Sequence, residues 1–187
     1  RKIICPPFGL KIVGATVPDR RFGTTTEEHS GLVGCDALVC SNVSCLISCD
    51  GAGVRLELHG LAILGHSNAV SETVAAGVAL PRRASRSRPQ AVWVNRGAIL
   101  RVRNCYVSRF GASALCCGPG GGMLVQHATV DRCDNCVGAV SSASVLVERC
   151  RVGGGECAIN ASSGAKIDVR GCAIARCTAP RGAEVGP

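Results

Sequence analysis

Cysteine is the residue with the greatest chemical capacity in this sequence, which holds fourteen of them in 187 residues. Thiolates bind zinc, and Cys133 and Cys136 form the only Cys-x-x-Cys pair. A zinc site would need a second such pair or histidines, and the four histidines are scattered. The adjacent Cys116 and Cys117 would place one thiol inward and one outward on a strand. We predict structural thiols and no metal or cofactor; disulfides and metal ligation are the alternatives.

Clustered aspartates are the second group with chemical capacity, because glycoside hydrolases use paired carboxyl groups as acid and as base or nucleophile. The stretch VDRCDNC holds Asp131, Asp134 and Asn135. Asp and Asn are also frequent turn residues, and a bend after a strand explains them here. We therefore predict no catalytic residue in this stretch.

A basic segment, PRRASRSRPQ, occupies residues 81–90. Its arginines supply half of the net charge of +8, and they are Arg82, Arg83, Arg86 and Arg88. We expect a basic surface loop that binds an acidic partner; the alternative is an insertion that contributes only solubility. One basic loop on a mildly basic body is a weaker signal for nucleic acid than a broad basic face.

The remaining composition describes the body that must position these residues. Apolar residues make up 47% and charged residues 18%, which excludes a disordered chain. Aromatic residues are only 3%, so the core must consist of Val, Leu, Ile, Ala and Cys. No run approaches the ~20 apolar residues that span a bilayer, and no membrane partner is expected.

An apolar pair recurs along the chain at steps of 22 or 23 residues. Its copies are Leu56 and Leu58, Val78 and Leu80, Leu100 and Val102, Met123 and Val125, Val145 and Val147, and Ile167 and Val169. Leu38 and Cys40 resemble a further copy at a shorter step, and Ile12 opens a first, poorly matching turn. Each copy reads as a strand, a bend, a second short strand, a corner and a third short strand.

A repeat of ~22 residues is too short for a helical hairpin, and the leucine ladder of leucine-rich repeats is missing. A parallel β-helix fits, because each coil stacks on the last and equal positions form columns. Cys105, Cys150 and Cys172 then share one inward column, and Cys133 and Cys177 share another with Phe110. A thiol suits such positions because it is small and packs as an apolar group.

The pattern from Leu32 to Cys177 resembles the right-handed parallel β-helix superfamily, the pectin-lyase-like fold. More narrowly, it is similar to the carbohydrate-binding-and-sugar-hydrolase type repeats of intracellular proteins. The resemblance implies an all-β, right-handed parallel β-helix solenoid with coils of about 22 residues. For enzymes of the superfamily it implies acidic polysaccharide substrates, with calcium-binding carboxylates and a basic residue in lyases or clustered aspartates in hydrolases.

The outward positions of the long strand test that implication. One column is Glu57, Arg101, Leu124, Leu146 and Asp168, and its neighbour is His59, Arg103, Gln126, Glu148 and Arg170. No three carboxylates converge in these columns, so we predict a non-enzyme without catalytic residues. The candidate binding residues are Arg101, Arg103 and the outward-pointing Tyr106 on an exposed face, besides the arginine loop.

The chain is therefore predicted to be a single β-helix domain over residues 1–187 and a fragment of a longer protein, with residues 178–187 as a tail or cap. We expect a non-enzymatic scaffold for protein partners in an intracellular assembly, cytoplasmic or cytoskeleton-associated, with self-association through the coil ends. The alternatives are a polysaccharide-binding or degenerate carbohydrate-active domain, and polyanion or nucleic-acid binding through the arginine loop.

Overall fold

The computed structural model describes residues 2–14, 37–39, 45–65, 89–175 and 177, and these form three six-stranded parallel sheets. Sheet A consists of β1 (Ile3–Ile4), β4 (Cys45–Asp50), β7 (Gln90–Asn95), β10 (Ser113–Cys117), β13 (Asn135–Val140) and β16 (Cys157–Ser162). Sheet B consists of β2 (Leu10–Val13), β5 (Arg55–His59), β8 (Ile99–Arg103), β11 (Gly122–Gln126), β14 (Ser144–Glu148) and β17 (Lys166–Arg170). Sheet C consists of β3 (Ala37–Val39), β6 (Ala62–Leu64), β9 (Tyr106–Ser108), β12 (Thr129–Asp131), β15 (Arg151–Gly153) and β18 (Ala173–Ala175).

Each coil of the chain contributes one strand to each sheet, and the coils stack in register. Leu100 lies opposite Leu56 on one side and Met123 on the other, and the column continues through Val145 to Ile167. The predicted all-β parallel β-helix is confirmed. Among the described residues, no helix has the length and apolarity needed to cross a membrane.

The core lies along the axis of the coil, where the inward side chains of all three sheets meet. Alternate residues of the strands are buried, as in β8, where Leu100 and Val102 are buried while Arg101 and Arg103 are exposed. Val, Ile and Leu suit this environment because branched and apolar side chains pack well on a pleated surface. Phe110 is the largest fully buried side chain and fills a corner of the bore.

The bends of the coil explain why cysteine occurs where it does. At four bends a thiol lies within hydrogen-bonding distance of the carbonyl oxygen two residues earlier, at 3.0–3.4 Å: Cys105, Cys133, Cys150 and Cys172. The residue just before each of them has a left-handed backbone: Asn104, Arg132, Arg149 and Gly171. A cysteine there is small enough for the corner and adds a weak donor to a carbonyl at the end of a strand.

The prediction of structural, buried thiols is confirmed within the described residues. None of the twelve cysteines among them is in a disulfide, and nine are buried. Cys105 stacks in the column of Cys150 and Cys172, and Ala128 lies between Cys105 and Cys150. Of the Cys116–Cys117 pair, predicted to have one thiol inward and one outward, only Cys117 belongs to the core cluster, yet both side chains are buried.

One predicted repeat copy is wrong, and another, Val78 and Leu80, lies outside the described residues. Among the described strands β5 pairs directly with β8, so Leu56 and Leu100 are neighbours in their column. Leu38 lies opposite Ile63 in sheet C, so it belongs to a different column from Leu56. The expectation for Ile12 is confirmed, since it lies opposite Leu58 in the first described coil.

The predicted third short strand also needs correction. The sheet A strands, apart from β1, have five or six residues and are at least as long as the sheet B strands of the same coil. Gln90, placed in the arginine loop by sequence, begins β7. Residues 81–88 and 178–187 lie outside the described residues.

Candidate functional site

The outward face of sheet B carries two parallel columns of polar side chains. In the first column, the Glu57 carboxylate lies 4.0 Å from Lys11 Nζ and 3.4 Å from Arg101 Nη1. These residues come from three successive strands, β2, β5 and β8. Because all three side chains are partly exposed, water screens the ion pairs and each contributes little to stability. Their effect is to fix charged groups at one-coil intervals.

The second column is bridged by an amide. Arg103 Nε donates to Gln126 Oε1 at 2.8 Å, and Gln126 Nε2 donates to Glu148 Oε2 at 2.8 Å. The direct opposition of these residues on β8, β11 and β14 makes both bonds possible without strain. The glutamine thus connects a cation to an anion two coils away, and both of its polar groups are used.

Two further pairs of polar side chains lie on this face. Asp168 accepts a hydrogen bond from Arg170 on the same strand, 3.1 Å from its Nε, and this bond lowers the pKa of the carboxyl group. Asn104 Nδ2 lies 3.2 Å from His59 Nε2. The carboxylates named on this face are therefore engaged by cations or an amide.

Two leucines interrupt the polar columns at the centre of the face. Leu124 and Leu146 lie directly opposite each other on β11 and β14, between Arg101 on one side and Asp168 on the other. Both leucines are partly exposed. The face therefore has a small apolar centre with charged and amide groups around it.

A second polar cluster lies on the outward side of sheet C. The Tyr106 hydroxyl donates to Asp131 Oδ2 at 3.3 Å, and Asp131 lies opposite Ser108. Ser108 is only 1% exposed, and its Oγ and the Asp131 Oδ1 are both buried. Side chains that point outward from a β-helix coil are normally exposed to solvent. This cluster is therefore a buried polar patch on an outer face.

Burial controls the ionisation of this cluster. Burial raises the pKa of the Asp131 carboxyl group, although the Tyr106 and Ser108 hydroxyls and the Arg109 cation oppose the shift. Burial, followed by the Asp131 charge, also raises the pKa of the Tyr106 phenol. The tyrosine consequently stays neutral and acts as a donor, and it is not available as a phenolate base.

Several buried thiols are likewise shielded from ionisation, whereas the hydrogen bond with Cys133 lowers the pKa of Cys136. Burial raises the pKa of Cys116, Cys117 and Cys150 to about 11 each. A thiol with a raised pKa carries little thiolate at neutral pH and is a poor nucleophile and metal ligand. Among the described residues, no group of three or more His, Cys, Asp or Glu side chains is placed to hold a metal ion.

The structure places the predicted binding residues on two different sheets. Arg101 and Arg103 are exposed on β8 of sheet B, whereas Tyr106 is half-buried on β9 of sheet C and points toward Asp131. Arg82, Arg83, Arg86 and Arg88 lie outside the described residues. Arg101 and Arg103 thus belong to a different surface from Tyr106.

Sequence reasoning missed the buried cluster on sheet C. It placed Asp131 on a bend, but Asp131 is the last residue of β12, where turn chemistry does not apply. The signal was present, since Ser108 and Asp131 occupy the same outward position of successive coils. Counting polar residues by column on the second strand would have brought them together.

Comparison with known proteins agrees with this architecture. Residues 43–180 match the family model described as the right-handed beta helix region. Neither the curated proteins nor the solved structures gave a match. The matched segment covers most of the chain and includes the coils from β4 to β18. The chain belongs to the right-handed β-helix family.

Proposed function

We propose that this chain is a non-enzymatic scaffold that mediates protein–protein interaction in an intracellular assembly, and that a partner contacts the outward face of sheet B. The observation that carries the proposal is the pair Leu124 and Leu146, surrounded by fixed polar groups. Protein interfaces have this composition, with an apolar centre and a polar rim.

The engagement of the polar groups supports a binding role over a catalytic one. Arg103, Gln126 and Glu148 are bonded to one another, and Glu57 is paired with Arg101. A general acid or base must have the substrate proton within hydrogen-bond reach, whereas these side chains direct their polar atoms at one another. Held side chains do suit recognition, because a preorganised surface loses less entropy on binding.

The state of the cysteines supports an intracellular setting. The twelve described cysteines are free thiols, and most line the bore. Oxidising compartments favour disulfide formation, so a chain with this many unpaired thiols suits a reducing compartment.

The proposal is tested by quantitative affinity capture from a cell lysate with the wild-type chain and two variants. Leu146→Glu places a charge at the apolar centre, and Asn160→Glu adds the same residue at an exposed position of sheet A. We expect Leu146→Glu to lose the captured proteins and Asn160→Glu to retain them. Equal capture by both variants would contradict the choice of face, and turnover of an acidic polysaccharide by the wild-type chain would contradict the non-enzymatic role.

A further inference from the structure

Apolar side chains are left exposed at the two ends of the coil stack. The large hydrophobic residues that are exposed among the described residues all belong to the first or last described coil: Ile4, Phe8, Val13, Val169 and Ile174. Val169 and Ile174 point into the bore, yet they are 39% and 52% exposed. Val147 and Val152, at the same positions one coil earlier, are buried.

The three sheets end in the same way at each end of the stack. Sheets A, B and C begin with β1, β2 and β3 and finish with β16, β17 and β18. In a parallel ladder, alternate residues bond to opposite neighbours. Lys166 N–H donates to Ala143 and Arg170 C=O accepts from Arg149, so the backbone groups of Ile167 and Val169 face away from β14. Among the described strands, none pairs with this outer edge of β17.

The first coil matches the last coil position by position. If β2 of a second copy continued the register of β17, Leu10 would cover Ile167 and Ile12 would cover Val169. In sheets A and C the same register would place Ile3 over Ile159 and Leu38 over Ile174. Each of these columns remains apolar throughout the stack, so the second copy would continue the core.

The charges match in the same register. Lys11 of the second copy would lie opposite Asp168, in the column that already holds the Glu57–Arg101 pair. Lys166, by contrast, would lie opposite Gly9, which has no side chain. The alignment that covers the apolar residues is thus also the one that pairs opposite charges.

We infer that copies of this chain stack head to tail, with β1, β2 and β3 of one copy adding to β16, β17 and β18 of the next. The two surfaces are different, so the contact is heterologous and each added copy leaves a new free end. The stack would grow into open-ended filaments and would not close as a dimer. The inference does not rest on the proposed partner face, because the side of sheet B remains free in the stack.

Sedimentation velocity across a concentration series tests the stacking. The wild-type chain should form species larger than a dimer as concentration rises. Lys11→Glu and Asp168→Lys each create a like-charge contact, and each should weaken assembly about fivefold to tenfold. The combined Lys11→Glu and Asp168→Lys variant should recover assembly, because the contact between copies regains opposite charges, while Glu57 and Arg170 within each copy face the same like charges as in the single variants. Lys166→Glu is the matched control and should assemble like the wild type.

A second variant keeps the test independent of charge effects within one copy. Val169→Pro removes an N–H that faces away from β14, and proline is tolerated at the edge of a sheet. This variant should keep the strand circular dichroism of the wild type and lose assembly. A wild-type chain that stays monomeric, one that stops at a dimer, or a combined variant no better than the single ones would overturn the inference. None of these outcomes depends on Leu146, so the capture experiment is judged separately.

Discussion

The Cys150 thiol lies 3.2 Å from the Glu148 carbonyl oxygen, across a bend at which Arg149 has a left-handed backbone. Cys105 and Cys133 repeat this contact at other bends. The contact gives cysteine a backbone role besides its packing role. Any apolar residue could fill the space, but a methyl group has no donor for the carbonyl.

Replacing Cys150 with alanine should destabilise the fold by about 1–2 kcal/mol, since it removes a buried sulfur atom and a weak hydrogen bond. The free energy of unfolding in urea measures the effect. Cys177→Ala is the control, because Cys177 is exposed and its sulfur lies 3.9 Å from the Ala175 carbonyl oxygen. Equal losses in the two variants would contradict the assigned role of the buried thiol.

The fold could be predicted because the same pattern recurs along the sequence. The apolar pair Leu100 and Val102 recurs at Met123 and Val125, and the recurrence of such a pair at a constant step in several coils does not arise by chance. The repeat period alone did not fix the register of the coils. Leu56 and Leu100 are separated in the sequence by about twice the step of the later copies, yet they lie next to each other in their column.

The candidate site could be predicted only in part, for a physical reason. Alternation assigns a side chain to the outside but does not say what covers it, so Arg101 and Tyr106 were predicted as one exposed face. The burial of Ser108 and the hydrogen bond of Tyr106 depend on neighbours in other coils. Such contacts have no signature within one repeat.

Asp131 should make stability fall as pH rises. Burial raises the pKa of its carboxyl group in the folded state above that of the unfolded chain, so the folded state holds the proton more tightly. Stability from this group is therefore fully present below the unfolded pKa, near pH 4, and is lost as pH rises through the folded pKa. Other carboxyl groups, such as Asp168, contribute with the opposite sign.

The comparison with Asp131→Asn isolates that contribution. Urea unfolding at a series of pH values should show the wild type losing stability relative to the variant as pH rises. Tyr106→Phe should extend the loss to higher pH, because the phenol hydrogen bond holds the carboxyl pKa down. A stability difference between wild type and Asp131→Asn that does not change with pH would rule out the titration of this group.

Gln126 should contribute to stability through its two hydrogen bonds on the face of sheet B. Gln126→Ala removes the bridge between Arg103 and Glu148 and should cost about 1 kcal/mol, because the partners regain water in exchange. Thermal unfolding measures this loss. In the Gln126→Ala background, Arg103→Ala should lower the stability by less than it does in the wild type. Stability losses of the two substitutions that simply add would argue against the bridge.

Gly155 should tolerate no side chain, because a methyl group there would meet the carbonyl oxygen of Cys133 in the preceding coil. Relieving that contact requires the coils to move apart at a corner that Phe110 and Cys133 fill. Gly155→Ala should therefore cost about 1–3 kcal/mol, the range for overpacking. Gly122→Ala is the matched control, since its methyl group would make only an ordinary contact with Ile99 at 3.8 Å. Because alanine also restricts the unfolded chain, Gly122→Ala should be neutral or slightly stabilising in urea unfolding. Similar stabilities of the two variants would mean that the coils separate easily at this corner, contrary to the close stacking that positions every column described above.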